Sequence, residues 1–252
     1  MRNTRHLLNL ALLASFTLAP LAMARADSMN INYYTIASSD PDANALCCGY
    51  STNEVLNTLG PNGLPMLNPA ATVSAGSLPT DVYGASHELT YWSPGFNPNV
   101  TMTSTGVVTL PFNVPQNFFP PNGTGSGNGG ANGYQSAFLY GILNAPTAES
   151  INFTIGSDDM AFAYLDNQLV CSDGGVHAVS SVPCTSGIIA AGNHSIKLFF
   201  VDINQTQSGL TFSVDTEDAT TSPVPEPGSL ALFGSGLVGL LGMLRNRFAK
   251  SC

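Results

Sequence analysis

Over residues 27–222 the apolar positions never hold a 3.6-residue period for long. They alternate with polar ones in short runs that end in Gly, Pro, Asn or Ser. Such runs predict β-strands, because successive side chains of a strand point to opposite faces. The pattern places strands at 31–36, 89–92, 107–112, 135–143, 150–155, 160–165, 194–201 and 210–215. Many short strands separated by turn residues predict an all-β sandwich or barrel. Met160, Phe162 and Tyr164 share one face of their strand, and Leu210, Phe212 and Val214 share one face of theirs, so each row is expected in a sandwich core. The pair Asp166-Asn167 has the chemistry of a tight hairpin, since both residue types tolerate positive φ. One helix is expected at 52–59, capped by Thr52, with Val55, Leu56 and Leu59 turned inward. The Pro/Gly/Asn segment 120–133 reads as an exposed loop, 146–149 as a second connection, and no internal repeat is visible.

The two ends follow other rules. Residues 1–26 open with Arg2 and Arg5, run apolar over 7–22 and close on Ala22-Met23-Ala24 and Ala24-Arg25-Ala26. That is the build of a secretory signal peptide, excluded from the fold. At the other end Val224-Pro225-Glu226-Pro227 precedes an apolar, Gly-rich run over 228–244 and the basic residues Arg245 and Arg247. The run sits at the lower length limit of a transmembrane helix. Basic residues just beyond it predict a cytoplasmic C-terminal end and a body facing outward. The chain thus divides into a signal peptide (1–26), one folded domain (27–222) and a membrane-directed tail (223–252).

Composition narrows the function. Charged residues make up only 9% of the chain, against roughly 25% in an ordinary soluble domain, which argues against a cytosolic enzyme. Over 27–222, fifteen acids stand against one base, Lys197, a formal charge of −14. A nucleic-acid partner is excluded, because phosphate binding needs clustered Lys and Arg. Solubility outside the cell accounts for most of these acids, but carboxylates without cations beside them also suit hard metal ions, Ca2+ above all.

The order Pro-Glu-Pro, short apolar span, basic tail resembles the PEP-CTERM sorting segment of Gram-negative bacteria that make exopolysaccharide, over 224–250. The resemblance implies that an exosortase-type membrane protease recognises Pro225, Glu226 and Pro227 and cuts nearby. A precursor tethered to the inner membrane would then pass to the cell surface or extracellular matrix, and Cys252 would be lost. Such tails occur on many unrelated surface domains, some ice-binding proteins among them, so the tail is an address and not an activity.

Without Cys252, four cysteines remain in an oxidising compartment, and four allow three pairings. Cys171 with Cys184 is favoured, because the two bracket a Gly/Ser-rich excursion between strands. Bonds from the adjacent Cys47 and Cys48 to this pair are the rival arrangement.

The strongest candidate chemistry is Asp158-Asp159, two carboxylates just before the apolar strand at 160–165. Adjacent carboxylates repel unless a cation holds them, and in a regular strand they point to opposite faces. Both can reach one ion only if the backbone kinks there; a plain turn is the alternative. Gly156-Ser157-Asp158-Asp159, the aromatic strand, Asp166-Asn167 and then Asp173-Gly174-Gly175-Val176-His177 together resemble PA14-like and fibro-slime sugar-binding modules. Gly192-Asn193-His194 continues the pattern, 210–215 resembles the last strand, and 57–65 is similar to an early element. The resemblance covers 155–214. It implies an antiparallel β-sandwich lectin with a cis peptide between Asp158 and Asp159, both carboxylates on one Ca2+, and sugar hydroxyls completing the ion's shell. Further ligands are expected from Asp202 and Asn204. The fibro-slime pattern has a Glu-Arg pair where Val201-Asp202 stands, so sugar preference does not transfer.

Other candidates are weaker. His177 and His194 have no partner at ligand spacing and read as structural. His87-Glu88 lacks the second His of a zinc-protease helix. Neither a Gly-x-Ser-x-Gly elbow nor a phosphate-binding Gly loop is present. Tyr91 or Trp92 could stack on a sugar, although one of the two, like Tyr164, is expected in the core. The sequence therefore predicts an exported, non-catalytic surface or exopolysaccharide-matrix protein that binds carbohydrate through Ca2+. The alternative is a structural biofilm-matrix or ice-associated protein without a ligand site.

Overall fold

The computed structural model describes residues 27–43, 49–76, 78–114, 134–204 and 208–224. The signal peptide, Cys47, Cys48, the 120–133 loop, the Pro225-Glu226-Pro227 motif and the predicted helix at 228–244 lie outside these residues. No helix among the described residues is long and apolar enough to cross a membrane.

The described residues form strands and turns. In chain order the strands are β1 (Ser28–Ile36), β2 (Gly49–Ser51), β3 (Val55–Leu59), β4 (Pro65–Leu67), β5 (Val82–Tyr83), β6 (Glu88–Leu89), β7 (Val100–Thr109) and β8 (Phe112–Val114). They continue as β9 (Tyr134–Ala145), β10 (Glu149–Asp158), β11 (Met160–Leu165), β12 (Gln168–Val176), β13 (Val182–Ile189), β14 (Gly192–Asp202), β15 (Gly209–Val214) and β16 (Thr220–Ser222). The larger sheet runs β5-β6-β4-β3-β12-β11-β14-β9-β1-β7, with β2 on β12 and β16 on β9. The smaller runs β13-β10-β15-β8, and the pairings in both are antiparallel.

Alternation along the strands builds two cores. Ile196, Leu198 and Phe200 of β14, Leu139 and Leu143 of β9, and Ala161 and Ala163 of β11 meet Phe153 and Ile155 of β10 and Leu210 and Phe212 of β15 between the sheets. The alternate residues, Phe199 and Val201 of β14 with Met160, Phe162 and Tyr164 of β11, face outward. They are covered by Leu89, Tyr91 and Trp92 from the segment between β1 and β7. β11 is therefore buried at every position. Each large apolar side chain so enclosed contributes about 1.5–3 kcal/mol.

The predicted row Leu210, Phe212, Val214 joins the sandwich core, but Met160, Phe162 and Tyr164 lie in the second one. Period-two patterning shows that two faces exist, not which neighbour covers each. The helix expected at 52–59 is instead strand β3, where Val55 pairs with Leu67 and Thr58 with Gln168. Eight residues barely cover the cost of helix nucleation, and the β-branched Val55 fits a sheet. The strand expected at 107–112 is broken, because Pro111 cannot donate to a ladder; β7 stops at Thr109 and the chain crosses to β8 in the other sheet. The strand expected at 89–92 is reduced to Glu88–Leu89. Tyr91 and Trp92 both enter the core, where Trp92 Nε1 donates to the Phe200 carbonyl at 2.8 Å.

Two local expectations hold. Asp166 and Asn167 have φ of 48° and 63°, the left-handed pair of a tight hairpin joining β11 to β12. Cys171 and Cys184 are disulfide-bonded with Cα atoms 5.5 Å apart. The bond ties β12 of the larger sheet to β13 of the smaller, since the expected excursion is itself the end of one strand and the start of another.

Candidate metal centre

The chain changes sheets between Asp158, the last residue of β10, and Met160, the first of β11. The Asp158–Asp159 peptide at this step is cis. Asp158 pairs with Gly209 of β15, while Met160 pairs with Val201 of β14. Asp202, the last residue of β14, is thereby carried to the same point. One carboxylate oxygen from each of Asp158, Asp159 and Asp202 lies within 4.8 Å of the others, and the three residues are 3%, 1% and 1% exposed.

Main-chain donors hold part of this group. Asp159 Oδ2 accepts from the amides of Ile203 and Asn204, both at 2.8 Å, and Asp202 Oδ1 accepts from the Asn204 amide at 3.2 Å. Among the described residues Asp202 Oδ2 is buried with no hydrogen-bond partner, as is the hydroxyl of Ser208 beside Gly209. Burial, then the neighbouring Asp159, pushes the Asp158 carboxyl up to about 8. Burial pushes Asp159 up to about 6, against the pull of the Ile203 and Asn204 amides and of His177. Burial and the Asp159 and Asp158 charges drive Asp202 well above the carboxylate range. Desolvated carboxylates facing one another are costly as anions. A divalent cation removes that cost. The donor set is hard oxygen, as Ca2+ requires, so the residues fit the ion.

A polar layer positions the step from behind. The Ser157 amide and hydroxyl each lie 3.0 Å from Asp173 Oδ2 as donors, and Ser180 Oγ donates to Asp173 Oδ1 at 3.1 Å. His177 Nε2 stands 3.2 Å from Asp173 Oδ1, Nδ1 lies 2.9 Å from the Ala178 carbonyl, and the ring stacks on Tyr50. Burial opposes charge on His177, but contact with Asp173, the Ala178 carbonyl and the Asp159 charge outweigh it and raise the pKa. The Gly-Gly step has a steric cause: a Cβ on Gly175, at φ 96°, would lie 1.9 Å from the Gly49 carbonyl oxygen where β2 crosses β12. His194 is placed elsewhere, bridging Asp166 Oδ2 at 2.6 Å and the Ala190 carbonyl at 2.9 Å.

Two further features had no sequence signal strong enough to find them. Glu54 is fully buried and faces the Gly175 main-chain amide. Burial pushes it to about 7 against the pull of that amide and of His177, with the Asp159 and Asp42 charges adding to the rise. Asp40, Asp42 and Asp81 form a second acidic group, but donors already occupy it. Asp42 accepts from Thr80, from the Asp81 amide and from the Tyr91 hydroxyl at 2.6 Å, and the Asn97 amide bridges Asp40 and Asp81 at 3.1 Å each. Asp40-Pro41-Asp42 was its only trace in the sequence.

At the level of sequence, residues 223–247 match the PEP-CTERM protein-sorting motif, and no curated protein matches the chain. Among solved structures, a PA14 sugar-binding domain from an RTX adhesin is similar at 12% identity and a TM-score of 0.33, covering 75% of this chain and 89% of that one. The PA14 domain of the MpAFP antifreeze protein is similar at 13% identity and a TM-score of 0.32, covering 79% and 92%. A β-glucosidase from Kluyveromyces marxianus is similar at 10% identity and a TM-score of 0.33 over 44% of this chain, which spans only 14% of that enzyme. The chain thus carries a PEP-CTERM protein-sorting motif at its C-terminus behind a domain of antiparallel β-sheets, and PA14 domains are among that domain's structural neighbours.

Proposed function

We propose that this is an exported cell-surface or exopolysaccharide-matrix protein whose β-domain binds carbohydrate through a Ca2+ ion. Asp158, Asp159 and Asp202 would hold the ion, with Asn204, whose amide already bonds Asp159 and Asp202, as a further ligand. The observation that carries this reading is the convergence of three buried carboxylates with one oxygen, Asp202 Oδ2, left without a donor among the described residues. The ion would supply charge neutralisation and open coordination positions for sugar hydroxyls.

Calorimetric titration of the purified protein with Ca2+ tests the reading. One ion per chain is expected, with binding lost in Asp202→Asn and in Asp159→Ala. Glycan retention on an array is expected in Ca2+ and absent in chelator. An array blank in both, with no heat on titration, would favour a structural matrix protein, in which Asp158-Asp159 serves only as a turn.

The sorting motif marks the chain as exported by way of a membrane-anchored precursor. Glu226 is the one charged residue of the Pro225-Glu226-Pro227 motif. Glu226→Ala is expected to leave a full-length precursor in the membrane fraction, seen as a single larger band on a blot. Unchanged maturation would remove the exosortase-type protease from the account.

A further inference from the structure

The outward face of the larger sheet is only partly covered. Beside the second core it leaves a recess of about 330 Å³ lined by Asn32 of β1, Phe138 of β9, Lys197 and Phe199 of β14, and Asn62 and Phe96 of the covering segment. Asn32 pairs with Phe138 and Phe138 with Phe199, so three neighbouring strands supply the floor. Phe138 is half-buried and held between two rings, Phe199 at 4.8 Å and Tyr140 at 5.2 Å. The floor is therefore a rigid apolar surface reached by solvent.

Lys197 is the one base over 27–222, yet among the described residues it pairs with none of the fifteen acids. Its ammonium donates to Asn167 Oδ1 at 2.9 Å, which leaves two of its three N–H groups for other partners. Glu88, which bonds Asn62 of the recess wall, is fully buried and capped by the Asn62 amides at 2.9 and 2.6 Å and by the Leu64 amide. With its nitrogens so used, Asn62 keeps its side-chain oxygen as an acceptor.

We propose that this recess binds an acidic sugar residue of a polysaccharide. The sugar carboxylate would lie on Lys197, its apolar C–H surface on Phe138 and Phe96, and its hydroxyls on Asn32 and Asn62. A neutral glycan would need no cation, and this domain places its only one here. The −14 body repels polyanions at long range, but salt screens charges beyond about 8 Å, and a half-buried contact is screened less. Lys197 and Asp202 are five residues apart on β14, roughly 17 Å of strand, so the recess and the metal centre are separate and the inference does not rest on Ca2+.

The test uses the full chain in detergent, with chelator present so that the metal centre is silent. Trimers of galacturonate, glucuronate and mannuronate are titrated beside neutral galactotriose. At least one uronate trimer is expected to bind at least roughly tenfold more tightly than the neutral sugar, with that advantage lost in Lys197→Gln and kept in Lys197→Arg. The melting temperature of Lys197→Gln in chelator is expected to be unchanged, which separates loss of the recess from loss of the fold. Absence of binding by all three uronates, equal binding of acidic and neutral trimers, or an unaltered Lys197→Gln would overturn the proposal.

Discussion

Saturating Ca2+ is expected to raise the unfolding temperature of this protein by several degrees, and Asp158→Ala, Asp159→Ala or Asp202→Asn is expected to abolish the rise. At a free ion concentration one hundred times Kd, binding to the native state alone adds about 2.7 kcal/mol. For a domain of this size that is roughly 5–10 °C. The pH dependence has a definite sign. In the Ca2+-free protein Asp158 and Asp159 titrate near 8 and 6, above the ordinary value of 3.8 that they regain on unfolding. Between about pH 4 and 8 the native state therefore holds more protons than the unfolded one, and stability falls as pH rises. The Ca2+-free protein is expected to melt higher at pH 5 than at pH 8, and Ca2+ to stabilise it more at pH 8, where fewer protons compete for the oxygens. Asp202→Asn is expected to lose the response to the ion without lowering the Ca2+-free melting temperature. If the aspartates formed a turn and nothing more, each Ala variant would cost about 1 kcal/mol or less, with or without Ca2+.

Removing the Cys171–Cys184 bond is expected to cost about 3 kcal/mol, because it closes a loop of 13 residues that the unfolded chain would otherwise explore. The bond joins the two sheets, so its loss also frees β13 from β12. Between the two cysteines lie Asp173, His177 and Ser180, which brace Ser157 and hence the Asp158 step. Cys171→Ala/Cys184→Ala is therefore expected to bind Ca2+ more weakly as well as to unfold at lower denaturant. Urea unfolding with and without Ca2+ measures both. A loss of stability with unchanged Ca2+ affinity would confine the bond to a purely structural role.

How far these features were legible in the sequence depended on how local they are. The sorting motif, the Asp166-Asn167 hairpin and the Asp158-Asp159 step are each written in adjacent residues, and the hairpin reflects an intrinsic backbone preference of Asp and Asn. Cys171 and Cys184 were readable for a similar reason, since their strands follow one another closely. Strands β2, β4, β5 and β16 span only two or three residues, too few for alternation to register. They form because a neighbour's edge is available. The segment at 52–59 shows the same override: its apolar spacing allowed a helix, and pairing with β4 and β12 made it a strand.

Alternation and turn chemistry alone thus settle that the domain is all-β and which residues of a strand share a face, because these follow from the two-residue period of an extended chain; they miss β12, β13 and most of β7, where Gly, Ser and Thr blur the alternation. They leave undecided which sheet covers each face. Met160, Phe162 and Tyr164 could have met either sheet until the segment carrying Tyr91 and Trp92 closed over them. The same holds for charge. Asp202, Glu54 and the Asp40, Asp42 and Asp81 group are unremarkable acids along the chain. They become desolvated and coupled only where strands far apart in sequence end side by side, and burial, which no run of neighbouring residues encodes, is what gives a carboxylate its chemistry.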